Sequence, residues 1–138
     1  MMPLLILAAM TSADLDSLDQ AVARCDRSAT NPVFLAEAAR RSQFLLDAYR
    51  EQEAIVNERL ALANQRRSMR EAPATPAPKP SEQKQIEKQL DLQQAALDDR
   101  QKALNDQRML EGIRQDAMDS MRRYFLSNCP AGGNEKSR

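Results

Sequence analysis

The chain has 138 residues, with 20 Lys and Arg against 20 Asp and Glu, and it contains no His and no Trp. A formal net charge of zero supplies no global field favouring nucleic acid or a membrane surface. The absence of His removes the commonest general base and the commonest transition-metal ligand. Aromatic residues make up only 4% and charged residues 29%, which is typical of long helices packed along narrow seams.

The N-terminal stretch is apolar and uncharged. Residues 1–10 form an apolar run, and Thr11, Ser12 and Ala13 then supply small residues of the kind that a signal peptidase recognises. We therefore predict a signal peptide at residues 1–13 and a periplasmic or secreted protein. The run is far shorter than the ~20 apolar residues of a membrane span. No basic residue precedes it, so a cytosolic protein whose N-terminus docks on a helix is the alternative.

A first, short helix is predicted over residues 14–27. Its apolar residues recur every three or four positions and form one stripe, which consists of Leu15, Leu18, Val22 and Cys25. Asn31 is a favourable N-cap and Pro32 a favourable first helical residue. A second helix is therefore predicted over residues 32–72.

The second helix carries a predicted coiled-coil seam. Steps of four and three connect Leu35, Ala39, Ser42, Leu46, Tyr49, Glu53, Val56, Leu60 and Ala63. Ser42 and Glu53 are the polar exceptions. Phe34, Leu45 and Ile55 would widen this seam, as an interior helix of a bundle requires.

A proline-rich segment, residues 73–80, divides the chain. It holds four of the seven prolines, and no helix passes through it because proline lacks an N–H donor and clashes with the preceding turn. A third helix is predicted over residues 81–126, with Ser81 as its cap. Its early seam consists of Ile86, Leu90, Leu97 and Leu104, and a later seam, out of phase, of Leu110, Ile113, Ala117, Met121 and Tyr124. Residues 129–138 are expected to form a flexible tail.

These elements predict an all-α fold over residues 14–128: a long antiparallel coiled-coil helical hairpin with a short N-terminal helix. A short connection between two helices favours antiparallel neighbours. In such a hairpin the numbers of facing residues add to a nearly constant sum, and Ala63 with Leu90, Val56 with Leu97 and Tyr49 with Leu104 meet this condition. A homodimer that completes a four-helix core is an alternative arrangement.

Two cysteines, Cys25 and Cys129, lie near opposite ends of the chain. The hairpin would bring them together at its open end, and an exported chain is expected to oxidise such a pair. We therefore predict an intramolecular disulfide. Free thiols, with Cys25 as part of the apolar stripe, are the alternative.

Six basic residues surround the proline-rich segment: Arg66, Arg67, Arg70, Lys79, Lys84 and Lys88. They could contact anionic lipid, an envelope polymer or an acidic protein. The simpler interpretation is a solubilising helix end. No aromatic residue lies among them for base stacking, so nucleic acid is not an expected partner.

The sequence contains no pattern that supports catalysis. It lacks a glycine-rich phosphate loop, metal-ligand spacing and any nucleophile with a His to activate it. We therefore expect that the protein is not an enzyme and that it binds no cofactor and no metal. The acidic residues Asp91, Asp98, Asp99 and Asp106 point in different directions on a helix and are interpreted as a solvated face.

The expected function is that of a non-enzymatic secreted or periplasmic coiled-coil protein that binds another protein or has a structural role. A signal peptide followed by a helical hairpin is similar in plan to periplasmic holdase chaperones of the Skp type, and this resemblance implies an unfolded protein client. That is one alternative function, and a cytosolic coiled-coil scaffold is another.

Overall fold

The computed structural model of the chain describes residues 12–72 and 75–131. Within these ranges the protein is all-helical, as predicted, with α1 at Ser12–Ala23, α2 at Arg27–Glu71 and α3 at Pro80–Asn128. The predicted signal peptide lies outside the described residues except for Ser12 and Ala13, which begin α1, and most of the predicted tail lies outside them as well. None of the described helices combines the length and apolarity needed to cross a membrane.

The contacts divide the chain into two compact units. The first unit contains the residues up to Leu45 and those from Glu111 onward, and the second contains Leu46–Leu110. Segments of α2 and α3 therefore belong to both units, while α1 belongs to the first. Each unit is described by itself.

The junction between α1 and α2 in the first unit differs from the prediction. α1 ends at Ala23, where the Cys25 N–H donates to the Val22 carbonyl (3.0 Å) and the Asp26 N–H to the Ala21 carbonyl (2.9 Å). This pair of bonds is the Schellman arrangement, which requires a left-handed residue after the helix. Cys25 occupies that position with a φ of 54°, although glycine is the usual residue there.

Asp26, and not Asn31, caps α2. Its Oδ1 accepts hydrogen bonds from the Ala29 N–H (3.2 Å) and the Ser28 hydroxyl (2.8 Å), which satisfies a free donor of the first turn. The predicted start at residue 32 is therefore wrong. Pro32 lies inside α2, where its missing N–H removes one helical hydrogen bond near the start.

This cap makes stability depend on pH. The Ser28 hydroxyl and the Ala29 N–H lower the pKa of Asp26 below its usual value of 3.8. When folding lowers the pKa of a carboxyl group, its ionised form stabilises the folded protein at pH values above the unfolded-state pKa. This stabilisation is lost as the pH falls through the folded-state pKa. Asp26→Asn keeps a capping oxygen but cannot titrate. We expect it to reduce the stability lost between about pH 5 and pH 2, measured by urea unfolding; an unchanged acid profile would contradict this prediction.

The core of the first unit joins α1 to parts of α2 and α3. Its buried residues are Leu18, Val22, Met118, Phe125 and Cys129, and Leu15, Cys25, Val33, Phe34 and Met121 pack against them. The rings of Phe34 and Phe125 are 5.9 Å apart, and the Arg27 guanidinium lies 5.1 Å from the Phe125 ring centre. The predicted stripe of α1 is thus confirmed as its core-facing side.

Thr30 is fully buried in α2, and its hydroxyl has no hydrogen-bond partner in the described part of the chain. An unsatisfied buried hydroxyl is destabilising. Thr30→Val keeps the shape and removes the hydroxyl, so we expect it to raise the free energy of unfolding by about 1 kcal/mol. Thr30→Ser is the matched control because it keeps the hydroxyl and deletes the methyl group, and it should destabilise the protein. Chemical denaturation of both variants tests this, and a destabilised Val variant would refute it.

In the second unit, Leu62 of α2 packs with Leu90 and Leu97 of α3, and Met69 adjoins them. Ile55 and Leu104 are buried as well. Leu90, Leu97 and Leu104 recur every seven residues, so this part of the predicted early seam of α3 is confirmed. Ile86, the remaining member, is 39% exposed.

The predicted seam of α2 is wrong. Leu35, Tyr49, Val56 and Leu60 are 81%, 64%, 53% and 59% exposed, while Phe44, Ala48, Ile55 and Leu62 are the buried apolar residues of this helix. α2 therefore carries two apolar rows, and the predicted seam is the row that faces outward. Glu51, which is half-buried, and Glu58, which is 49% exposed, border the inward row, and Arg100 of α3 binds both of them.

The predicted later seam of α3 is only partly correct. Met121 packs against the core of the first unit, whereas Leu110, Ile113 and Tyr124 are 63%, 61% and 51% exposed. The seven-residue spacing of the buried leucines instead continues in the sequence through Glu111, Met118 and Phe125, all buried. The apolar pattern missed this row because Glu111 is charged, and its burial depends on cations supplied by other residues.

Candidate protein-interaction surface

The predicted disulfide is present. Cys25 and Cys129 are bonded, with their Cα atoms 5.4 Å apart and a separation of 104 positions in sequence. Cys25 lies just after α1 and Cys129 just after α3, so the bond ties the two helix ends together in the first unit. Cys129 is buried within the core described above.

The six basic residues around the proline-rich segment belong to the second unit. Arg66 donates to Asp91 (3.0 Å) and is half-buried. Arg67, Arg70, Lys79, Lys84 and Lys88 are exposed. Exposed basic side chains at two helix ends are consistent both with a solubilising helix end and with a site for an anionic partner. Their arrangement does not distinguish these two interpretations.

A cluster of charges in the first unit was not predicted from the sequence. The Glu37 carboxylate accepts from Arg40 (3.2 Å), from Arg41 (2.7 Å) and from Arg114, while Glu111 accepts from Arg40 and from Arg114 (3.3 Å). The side chains of Glu37, Glu111 and Arg114 are only 11%, 8% and 8% exposed. Their charges are matched, as burial requires.

Asp119 extends this buried cluster to the surface. It binds Arg41 at 2.8 Å and is 52% exposed. The hydrogen bonds that Arg41 donates to Asp119 and to Glu37 raise the pKa of Arg41, and the bond from Arg41 lowers the pKa of Asp119. All the groups are paired with one another, which suits the cluster to aligning the helices of the first unit.

Polar contacts also join α2 and α3 in the second unit. The side-chain amides of Gln52 and Gln101 exchange two hydrogen bonds, of 2.8 and 3.0 Å. Arg100 binds Glu51 at 2.9 Å and Glu58 at 2.7 Å. Because each donor meets an acceptor on the other helix, these side chains fix which residues of the two helices face each other.

The outer side of α2 in the second unit carries an exposed apolar row, which we call the α2 stripe. It consists of Leu46, Tyr49, Glu53, Val56, Leu60 and Ala63, all exposed. These residues recur at alternating steps of three and four, the spacing with which a helix presents one side to another helix. They are the residues that the sequence assigned to the core.

α3 carries a second exposed row in the same unit, which we call the α3 stripe. It consists of Leu92, Ala96, Asp99, Ala103, Asp106 and Leu110, again at steps of four and three and all exposed. Leu92 and Leu110 are 61% and 63% exposed. Its middle is built from small and acidic residues, in contrast to the large apolar residues of the α2 stripe.

Among the described residues, no group of three or more His, Cys, Asp or Glu is placed to hold a metal ion. An open groove of about 380 Å³ in the second unit is lined by Gln65, Glu82, Gln85, Ile86, Gln89, Leu90 and Gln93. Most of these side chains are amides, which bind polar groups, and Glu82 supplies one carboxylate.

Comparison with known proteins identifies no relative: no family model, no curated protein and no solved structure matches the chain.

Proposed function

We propose that the protein is a non-enzymatic coiled-coil hairpin that binds another protein through its helices in an oxidising compartment. The observation that carries this proposal is the α2 stripe. Tyr49, Val56 and Leu60 are each more than half exposed, yet they follow helix-pairing spacing. A contiguous exposed apolar row is a feature of an interaction site, whereas isolated exposed apolar residues are ordinary.

Cross-helix contacts within each unit support an antiparallel arrangement. In the second unit Gln52 pairs with Gln101, Arg59 with Asp98 and Arg66 with Asp91, so the partner number falls as the α2 number rises. In the first unit Arg40 pairs with Glu111, and Cys25 is bonded to Cys129. A short proline-rich connection between two long helices favours the same topology.

The disulfide supports the proposed compartment. Structural disulfides persist in periplasmic and secreted proteins and are rare in a reducing cytosol. The apolar run at residues 1–10 followed by small residues is consistent with export. Together these two features favour a periplasmic or secreted protein over a cytosolic scaffold. Thiol titration and N-terminal sequencing of protein from its native host would test this, and two free thiols with an intact Met1 would reject it.

Site-specific photo-crosslinking in the native host tests the binding surface. A photoreactive amino acid replaces Tyr49 in the α2 stripe, and Ala61, which is also exposed on α2 but lies outside the stripe, provides the matched control. We expect a discrete crosslinked protein from position 49 and little from position 61. Equal products from both positions, or none from either, would reject the α2 stripe as the binding surface.

A holdase chaperone is a second candidate function. The exposed Met109 and Leu110 on α3, 60% and 63% exposed, favour it because flexible apolar side chains adapt to varied clients. A holdase should suppress aggregation of several unrelated unfolded proteins at near-stoichiometric ratio. If the protein suppressed the aggregation of none of them and position 49 gave a discrete crosslink, the holdase function would be rejected and the function of binding a specific partner would be retained.

A further inference from the structure

We infer that the protein bound to the α2 stripe presents an amphipathic helix with acidic residues at one end, and that these residues bind basic residues where α2 ends and α3 begins. This inference rests on the proposed function, because it uses the same surface and states the chemistry of the partner. It follows from the continuity between the α2 stripe and a group of unpaired cations.

The α2 stripe continues into two arginines. Arg67 follows Ala63 by four residues and Arg70 follows Arg67 by three, so both extend the stripe at its own spacing, and both are exposed. One side of α2 therefore carries a mainly apolar row and then two cations. A partner helix that covers the row reaches these cations within its next two turns.

α3 adds two cations on the same side. Arg66 follows Ala63 by three residues and donates to Asp91 of α3 at 3.0 Å, so Asp91 marks the side of α3 that borders this end of the stripe. Lys84 and Lys88 precede Asp91 by seven and three residues, which places them on that side, and both are exposed. We call the four residues Arg67, Arg70, Lys84 and Lys88 the basic end.

The charges of the basic end are not neutralised within the described chain. Among residues 12–72 and 75–131, none of its four side chains forms an ion pair. Glu71 and Glu87 are the exposed acidic residues beside them in sequence, so the positive charges outnumber the negative ones. Because this excess adjoins an apolar row, one partner can bind both features, and its carboxylates then face the basic end.

Glu53 favours a helix over an anionic membrane as the occupant. It lies in the middle of the stripe between Tyr49 and Val56, and it forms no ion pair in the described part of the chain. Insertion of the row into lipid hydrocarbon would bury this carboxylate unpaired, which is costly. A helix can instead place a polar side chain opposite Glu53 and cover its apolar neighbours.

The dimensions of the surface define the pattern expected in the partner. Leu46 and Ala63 are about 26 Å apart along the axis of α2, and Arg70 lies about 10 Å beyond Ala63. The partner helix should therefore carry apolar residues at steps of three and four over about five turns. Asp or Glu residues should follow within its next two turns.

Photo-crosslinking of the full chain in its native host tests this pattern. A photoreactive amino acid replaces Tyr49 in one variant and Ala63, one turn before Arg67, in another. Mass spectrometry of the crosslinked peptides gives the sequence of the partner. We expect both positions to capture the same helix, and the peptide from position 63 to lie closer to the acidic residues.

Charge reversal tests the role of the basic end. Arg67→Glu with Arg70→Glu should lower the crosslink yield from position 49 by about tenfold, because attraction to carboxylates becomes repulsion. Arg67→Gln with Arg70→Gln should have a smaller effect. Arg122→Glu with Arg123→Glu is the matched control, since both residues are exposed in the first unit and the net charge changes equally. Circular dichroism verifies that each variant keeps its helix content.

An unchanged or increased yield after charge reversal at Arg67 and Arg70 would overturn the inference. A lipid adduct, a peptide of this chain itself, or a partner peptide without acidic residues beside its apolar row would overturn it as well. If position 49 still captured a discrete different protein, the proposed function would stand without the inference. If position 49 captured no protein, both would be rejected.

Discussion

Loss of the disulfide is expected to lower the free energy of unfolding more than any single substitution. The bond closes a loop of 104 residues. For a loop of about 100 residues the chain-entropy model gives up to about 4.7 kcal/mol. Total domain stabilities are only about 5–15 kcal/mol, so the reduced protein should be close to unfolding at body temperature. Urea unfolding of the oxidised and reduced protein measures the difference.

The left-handed backbone at Cys25 permits a matched pair of variants. Both carry Cys129→Ser, and they differ in having Cys25→Ser or Cys25→Gly. With a φ of 54° at this position, glycine adopts the required conformation without the steric cost that serine carries. We expect the Gly variant to be about 1 kcal/mol more stable than the Ser variant, although neither has the bond. Equal stabilities would show that the α1 terminus rearranges once the disulfide is absent.

The second large effect is expected at Glu37. Three arginines, Arg40, Arg41 and Arg114, donate to its carboxylate, and its side chain is 11% exposed. Glu37→Gln would leave the buried Arg114 and the half-buried Arg40 and Arg41 without the anion they share. Removal of one partner from a buried ionic cluster costs about 3–5 kcal/mol because it leaves an uncompensated charge. We expect a loss of about 3 kcal/mol in the free energy of unfolding.

Two control variants test whether the expected loss of stability is due to the burial of the unpaired charge. Asp119→Asn removes an anion from the same cluster, but its side chain is 52% exposed, so it should cost less than about 1 kcal/mol. Glu111→Leu with Arg114→Leu removes one buried charge of each sign and should cost less than Glu37→Gln, despite changing two residues. If Glu37→Gln and Asp119→Asn had the same small effect, water would reach the cluster and the argument from burial would fail.

The helices could be predicted from the sequence because their signals lie in neighbouring residues, and the disulfide could be predicted because the chain has only two cysteines. Proline density marks the break, three- and four-residue spacing marks the helices, and two cysteines allow one intramolecular pairing. The junction at Asp26 was missed because Asn31 and Pro32 form a familiar start signal. The start of α2 is instead set by hydrogen bonds of Asp26 and of Cys25. The left-handed backbone of Cys25 cannot be recognised from the composition of the sequence.

The inward sides of α2 and α3 could not be predicted from apolar spacing. α2 offers two apolar rows, and the one that follows the regular coiled-coil spacing is exposed. Glu51 and Glu58 border the buried row, and their partner Arg100 is 49 and 42 residues away in sequence. Periodicity within one helix does not show that a carboxylate has a partner on another helix. The residues of the α2 stripe have the spacing of a coiled-coil seam, but the sequence assigned them to the core and the structure places them on the exposed side.

The bond between Cys25 and Cys129 makes residues 25–129 a covalent ring. The proline-rich segment lies within that ring. A protease that cut it there would open the ring without releasing a fragment, and the product would be a two-chain molecule of unchanged mass apart from one added water. Each half would carry one long helix, and only reduction would separate the halves. The protein can therefore lose the continuity of its backbone at the connection between α2 and α3 and remain one molecule.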